Sequence, residues 1–340
     1  MKLKNKRLNI IILMIALGLV LYFTLKNNFS MIIKELSKVN LLIFSTAILI
    51  FILSLALKSV SLQIYIKEHN ENYTFKKAFS LTLIGQFLNG ITPFSSGGQP
   101  FQVYLLKKEG NRISDSTSAM VKDSVIYQLS LLIMGIVSIV LNLMLKVIPL
   151  KSNLTWLIII GFIINILVLI FLFMVIKMRK TMLNIINKLL LILNKIKIIK
   201  NIDSIEEKVK KGLDNFYNCK FDFRKNKKRF LITILTNVVS LALLYMIPYV
   251  IFESLNTNAL DIIHSILLTS FVMLIGNFIP IPGATGGIEY GFIKFFSKVN
   301  INMPTISSAM LLWRFITYFL GMLIGFIILV IREEVQKKWE

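Results

Sequence analysis

The residues of this sequence that could do chemistry are charged side chains inside apolar segments. Glu289 directly follows a break rich in Pro and Gly, and Arg314 lies in the middle of the apolar run LLWRF. A charge in hydrocarbon is costly, so such side chains usually face a bundle interior or a water-filled cavity. We predict that Glu289 and Arg314 flank one cavity, where the planar guanidinium of Arg314 attracts a lipid phosphate. The structural alternative is that Arg314 only bonds the carbonyl groups of a broken helix.

A second pair of charges, Lys122 and Asp123, stands near the start of another apolar segment. Asp123 is a candidate to face the first of two breaks in the apolar regions. The alternative is an interfacial pair whose side chains extend toward the headgroups. The sequence leaves both interpretations open.

Two apolar regions are interrupted by Pro and Gly, and the two interruptions match each other. The first reads TPFSSGGQP over residues 92–100, and the second reads PIPGATGG over residues 280–287. The preceding segments LIGQF and LIGNF also align, which indicates an internal repeat. A broken helix leaves N–H groups unpaired and offers the partial positive end of the next helix to an anionic group such as a lipid phosphate. Buried turns that only pack small residues are the alternative.

Neutral amides flank both breaks and could hydrogen-bond a headgroup. They are Gln86, Asn89, Gln99, Gln102 and Asn277. The alternative is that they satisfy the backbone groups that the breaks leave free. We treat Gln86, Asn89 and Asp123 as further candidates for the site.

The composition excludes an ordinary soluble domain. Of 340 residues, 56% are hydrophobic and 16% are charged, and the mean hydropathy is +0.74. The net charge of +22 suits nucleic acid or anionic lipid headgroups, and the long apolar runs favour lipid. The sequence holds one cysteine, Cys219, and no motif for a nucleophile, a nucleotide phosphate or zinc. We therefore predict no catalytic residue, no metal and no cofactor.

The elements that must position these residues are membrane helices. A spanning helix needs about 20 apolar residues. Six segments qualify, at residues 8–25, 41–60, 118–145, 154–176, 230–252 and 305–331. The broken regions 78–106 and 262–298 have shorter halves, which predicts re-entrant helical hairpins or, alternatively, pairs of tilted full helices. The predicted fold is an all-α integral membrane protein of about six transmembrane helices and two broken hairpins, arranged as an inverted repeat.

The charge distribution predicts how one polytopic domain over residues 1–340 is organised. The first half covers residues 1–176, a basic connector covers 177–229, and the second half covers 230–340. Basic loops remain in the cytoplasm, which places the connector and both termini there. The connector is predicted to rest on anionic headgroups as an interfacial helix, or to be an ordinary loop.

Four stretches carry a resemblance to a known family. GGQPFQVYLLKKEG (97–110), VIYQ (125–128), PIPGATGGIEYGF (280–292) and LLWRF (311–315) resemble the flippase-like transmembrane family of lysylphosphatidylglycerol synthases, with similarity from about residue 8 to residue 331. The resemblance implies transport of an aminoacylated phospholipid such as lysylphosphatidylglycerol, or of a polyprenyl-linked or glycolipid precursor, across a bacterial inner membrane. It also implies roles in lipid metabolism and antibiotic resistance. The residues that it implies for substrate binding are Gly97, Gly98, Gln99, Pro100, Asn277, Pro280, Pro282, Gly283, Gly286, Gly287, Glu289 and Arg314.

The resemblance leaves other activities open. Larger relatives carry a soluble domain that makes the lipid from aminoacyl-tRNA, whereas this chain stops at Glu340. We therefore expect no lipid synthesis by this chain, and we expect a separate lipid-modifying synthase as a partner. The alternatives are a membrane component of phosphatidylglycerol lysyltransferase and an accessory subunit of a lipid-modifying complex. Many relatives have Arg near the start of the third span, where this chain has Lys122 and Asp123.

Overall fold

The computed structural model describes residues 29–149, 152–195, 210, 214, 217, 226–276 and 279–337. The predicted first span at 8–25, much of the basic connector and the candidate Asn277 lie outside these residues. Within the described ranges the secondary structure is helical and contains no strand. The helices are α1 (Phe29–Leu36), α2 (Leu41–Ile66), α3 (Phe75–Ile91), α4 (Gly98–Lys108), α5 (Ile113–Leu145), α6 (Asn153–Lys177), α7 (Arg179–Lys195), α8 (Lys227–Ser254), α9 (Ile262–Gly276), α10 (Gly287–Phe296), α11 (Met303–Arg314) and α12 (Gly321–Lys337).

Five long helices confirm five of the predicted spans. Among the described residues, α2, α5, α6, α8 and the continuous stretch Met303–Arg332 are long and apolar enough to cross a membrane. Polar side chains fix where several of them begin. Asn40 accepts a hydrogen bond from the backbone of Leu42 at the start of α2, and Asn302 accepts one from Thr305 at the start of α11. Such caps satisfy N–H groups that have no partner within the helix. The protein is therefore an all-α integral membrane protein.

Helices α2 and α8 pack against each other as an antiparallel pair. The N–H of Asn40, before α2, donates to the carbonyl of Ser254 at the end of α8 over 2.8 Å. At the other end of the pair, Tyr65 Oη lies 2.9 Å from Thr233 Oγ1. This pairing defines two opposite ends of the bundle, to which the other elements can be referred.

The two broken regions begin at these opposite ends. Helix α3 follows the end of α2, whereas α9 follows the end of α8. Each region consists of a helix, a short 3-10 turn and a second helix, with the turns at Pro93–Ser95 and Pro282–Ala284. The two turns contact each other inside the bundle. Insertion of the two hairpins from opposite sides of a membrane remains a prediction.

The last predicted span contains a local change of helix type. A π-helical turn, Phe315–Leu320, separates α11 from α12 directly after Arg314. Beyond it, α12 packs so closely on α3 that a Cβ added at Gly325 would overlap the carbonyl of Leu83. Single π-turns inside helices often occur at functional sites. Here the turn sets the positions of Arg314 and Tyr318.

Candidate functional site: a polar cavity between the two turns

A cavity of about 490 Å³ lies where the two turns meet. Ligand cavities in proteins commonly have about 300–1,000 Å³. Its polar lining includes Gln86, Asn89 and Tyr127. Its apolar lining includes Ile164, Val168 and Leu172, which recur at helical spacing on α6 beside the polar Asn165. The cavity is therefore amphipathic.

Glu289 and Arg314 form a buried ion pair beside this cavity. Arg314 Nε lies 2.8 Å from Glu289 Oε1, and the two residues are 4% and 6% exposed. Arg314 Nη2 also donates to the carbonyl of Gly283 over 3.0 Å, and the N–H of Gly286 donates to Glu289 Oε2 over 2.6 Å. The pair thus binds the second turn from both sides. Arg314 lines the cavity. It also bonds a carbonyl group of the broken helix, at Gly283, which is the structural role that the sequence analysis gave as the alternative.

Tyr318 connects this ion pair to the first broken region. Its ring centroid lies 4.2 Å from Arg314 Cζ, which is a cation–π contact. Its hydroxyl donates to the carbonyl of Gly90 near the end of α3 over 3.0 Å. A Cβ at Gly283 would overlap the Tyr318 ring, so glycine permits this close approach. One tyrosine therefore packs against the second turn and hydrogen-bonds the helix that leads to the first.

The first turn is capped by neutral groups. The N–H of Gly97 donates to Thr92 Oγ1, and the N–H of Gly98 donates to Asn89 Oδ1, each over 2.9 Å. These bonds satisfy N–H groups at the start of α4. Phe94 is 58% exposed, and Ser95 and Ser96 are also exposed. The first turn is therefore more accessible than the second.

A second set of charges lies on the cavity wall formed by α2 and α5. Lys58 and Asp123 both line the cavity. Lys58 Nζ stands 4.5 Å from the ring centroid of Tyr127, and Asp123 Oδ1 accepts a hydrogen bond from Ser61 Oγ over 3.0 Å. Asp123 thus shares a cavity with Ser95 and Ser96 of the first break, as the sequence suggested.

Lys122 and Asp123 have different partners in the structure. Lys122 is buried and makes an ion pair with Glu68, which also binds Arg229 Nη1 at 3.0 Å. Neighbouring positions on a helix point about 100° apart, since each turn holds 3.6 residues. Only Asp123 of the two lines the cavity.

The cavity brings together some of the sequence candidates. Its lining includes Gln86, Asn89, Gln99, Asp123, Gly283 and Arg314. Other described candidates are not part of that lining, namely Gly97, Gly98, Pro100, Pro280, Pro282, Gly286, Gly287 and Glu289. Several of these shape the turns instead, as the bonds of Gly97, Gly98 and Gly286 show. Gln102 lies within the first hairpin, where its amide donates to the carbonyl of Leu81 over 2.9 Å.

Sequence reasoning missed Lys58 and Tyr318. The predicted span at 41–60 ends two residues after Lys58, which makes a lysine there look interfacial. Helix α2 instead continues to Ile66, so Lys58 lies about two turns inside it. The rule that singled out Arg314, that a charge inside an apolar helix is functional by default, would have found Lys58 with the correct helix end. Tyr318 carries no signal in the sequence, because its role depends on the π-turn.

Metal ligands do not cluster in the described part of the chain. No group of three or more His, Cys, Asp or Glu side chains there could hold a metal ion.

The fold and the cavity define a polytopic helical membrane protein with an amphipathic site. Residues 9–325 match the family described as the lysylphosphatidylglycerol synthase TM region, and the chain belongs to this family. It is also similar to the UPF0104 membrane protein MJ1595 of Methanocaldococcus jannaschii, with 27% identity over 332 residues that cover 90% of each protein. The family relates the chain to membrane lipids.

Proposed function

We propose that this protein translocates a phospholipid between the two leaflets of its membrane. The observation that carries the proposal is the amphipathic cavity at the meeting point of two broken helices. A lipid that crosses a bilayer must keep its polar headgroup away from hydrocarbon, since an unpaired charge there costs several kcal/mol. The polar wall would hold the headgroup, and the apolar face of α6 would contact the acyl chains.

The arrangement of the hairpins supports transport rather than static binding. The hairpins begin at opposite ends of the α2–α8 pair, and their turns meet beside the cavity. Transporters built from inverted repeats place substrate sites between such broken helices and expose them alternately to each side. In this proposal the bacterial inner membrane is the site of action, and both termini and the basic connector face the cytoplasm. The exposed lysines of α7, among them Lys180 and Lys188, would contact anionic headgroups.

The family suggests the class of lipid. Its description names a lysylphosphatidylglycerol synthase, which favours an aminoacylated phospholipid as the substrate and a separate lipid-modifying synthase as a partner. A polyprenyl-linked or glycolipid precursor is the second substrate class. Both present a phosphate group, to which a buried guanidinium contributes positive potential.

Leaflet exchange in proteoliposomes tests this function. Phosphatidylethanolamine, which carries an amine as an aminoacylated phospholipid does, is labelled on an acyl chain and reconstituted with the purified protein. Exchange is followed by chemical quenching of the outer-leaflet label. We expect exchange that depends on the protein. Arg314→Lys should lower the rate about tenfold, which corresponds to the loss of one charge-assisted hydrogen bond.

Arg332→Lys is the matched control, because Arg332 on the same stretch binds Glu109 and does not line the cavity. All rates are normalised to folded protein. Glu289→Gln should also slow exchange, and the double variant should cost less than the sum of the two single changes, since the two side chains are in contact. Exchange at the rate of empty vesicles would contradict the proposed function, and unchanged exchange by Arg314→Lys and Glu289→Gln would leave the ion pair with a structural role only.

A further inference from the structure

The charged side chains at the cavity form two pairs. Arg314 and Glu289 contact each other and are called the closed pair, whereas Lys58 and Asp123 do not contact each other and are called the open pair. Arg314 and Glu289 contact each other directly, and their remaining bonds go to the backbone of the second turn. For Lys58, by contrast, no carboxylate of the described residues lies within ion-pair distance of Nζ. Lys58 Nζ instead lies over the face of the Tyr127 ring. Asp123 accepts one hydrogen bond, from Ser61 at Oδ1.

The contact with Tyr127 holds Lys58 without neutralising it. A cation over an aromatic face is attracted by the ring quadrupole, with about 0.5–2 kcal/mol, but the ring removes no charge and leaves the ammonium N–H groups able to donate elsewhere. Ser61 likewise orients Asp123 through one carboxylate oxygen and leaves the charge in place. Both side chains are held in position and keep their binding capacity.

The two open charges are neighbours on facing helices. Lys58 contacts Tyr127, and Ser61, one turn later on α2, contacts Asp123, one turn earlier on α5. The two helices therefore run antiparallel here. This register places a cation and a carboxylate side by side on one wall of the cavity. Both side chains are half-buried, and neither supplies the other with a partner of opposite sign by direct contact.

We propose that Lys58 and Asp123 form the headgroup subsite of the cavity, and that it binds a lipid headgroup with both a phosphate and a primary ammonium group. Lys58 binds the phosphate oxygens, and Asp123 binds the ammonium group. This inference rests on the proposed lipid function and assigns recognition to the α2–α5 wall, whereas Glu289 and Arg314 mainly fix the second turn. Asp123 then determines specificity, because it repels a headgroup that carries only negative charge.

Binding of short-chain lipids to the full-length protein in detergent tests the subsite. The probes are dihexanoyl phosphatidylethanolamine, which has both groups, and dihexanoyl phosphatidylglycerol, which has the phosphate alone. Soluble phosphoethanolamine has both charges without acyl chains. We expect the wild type to bind the ethanolamine lipid about tenfold more tightly than the glycerol lipid, a ratio typical of one additional charge-assisted contact. Phosphoethanolamine should bind at least about tenfold more weakly than its lipid, because it buries no acyl chain.

Near-isosteric variants separate the two roles. Asp123→Asn should weaken binding of the ethanolamine lipid about tenfold and leave the glycerol lipid within about threefold. Lys58→Gln should weaken both lipids about tenfold, because both carry the phosphate. Lys122→Gln removes a neighbouring charge that does not line the cavity and should leave both affinities unchanged. A thermal melt of each variant confirms that it is folded.

Equal loss of both lipids in Asp123→Asn, or unchanged binding in both variants, would overturn the subsite, as would a wild type that binds neither lipid. Phosphoethanolamine binding as tight as its lipid would contradict a lipid ligand. Binding in detergent requires no leaflet exchange. Selective loss in Asp123→Asn without leaflet exchange in vesicles would therefore refute translocation and keep the subsite. Exchange of labelled phosphatidylethanolamine that is unchanged in Asp123→Asn and Lys58→Gln would keep translocation and refute the subsite.

Discussion

The two broken hairpins have turns of the same backbone shape but stabilise them differently. Phe94 has φ 55° and ψ 16°, and Gly283, at the aligned position of the second turn, has φ 62° and ψ 15°. The next residues, Ser95 and Ala284, both have φ 51°. The first turn is exposed and has neutral caps, whereas the second is covered by an ion pair and by Tyr318.

The same turn, repeated in the two hairpins, therefore serves two purposes. In the accessible first turn, Phe94, Ser95 and Ser96 have exposed side chains that line the cavity. The second is held by bonds to Glu289 and Arg314, and it contributes Gly283 and Ala284 to the cavity lining. Changes at the second turn should therefore affect stability, and equivalent changes at the first turn should affect it much less.

The largest expected effect concerns the sidedness of the two turns. In a Cys219→Ser background, Ser96→Cys and Thr285→Cys should react with an impermeant maleimide from opposite sides of the membrane, because their hairpins begin at opposite ends of the bundle. Right-side-out and inverted vesicles report the side. Lys77→Cys and Ile263→Cys, near the starts of the two hairpins, calibrate each end. Labelling of Ser96→Cys and Thr285→Cys from one side with matched rates would contradict the inverted arrangement.

The next effect concerns the charged and neutral caps. Glu289→Gln keeps an acceptor for the N–H of Gly286 but leaves Arg314 buried without a carboxylate, which should lower the free energy of unfolding by about 3–5 kcal/mol. Thr92→Val removes the neutral cap of the first turn and should cost about 1 kcal/mol. Denaturant titration in detergent measures both. Equal losses would show that the ion pair adds no stability to the second turn.

A smaller effect should separate the aligned residues Gly283 and Phe94. Gly283→Ala places a Cβ against Tyr318 at a positive φ, and we expect a loss of about 2 kcal/mol or more in the free energy of unfolding. Phe94→Ala keeps the same backbone geometry and removes an exposed ring, so the loss should stay below about 1 kcal/mol. Thermal melts of the two variants decide this, and the opposite ranking would refute the assignment of the second turn as the more tightly held one.

The sequence predicted the helices far better than the directions of their side chains. Helix lengths and both breaks follow from apolar runs and from Pro and Gly, which act locally. Helix α6 is apolar on almost all sides, so its sequence contains little pattern that says which face is buried. The cavity position of Lys58 and the bond from Arg314 to Gly283 depend on helix rotation and on the π-turn after Arg314. Tertiary packing decides these features.

Blocking the cavity tests most directly the claim that the headgroup passes through it. Ser124 lines the cavity, and Ser297 is exposed at the end of α10. Each is changed to Cys in the Cys219→Ser background and modified with a charged methanethiosulfonate, and leaflet exchange of labelled phosphatidylethanolamine is measured before and after. We predict that modification of Ser124→Cys stops exchange and that modification of Ser297→Cys leaves it unchanged. Full modification of Ser124→Cys with undiminished exchange would show that lipid does not cross through this cavity.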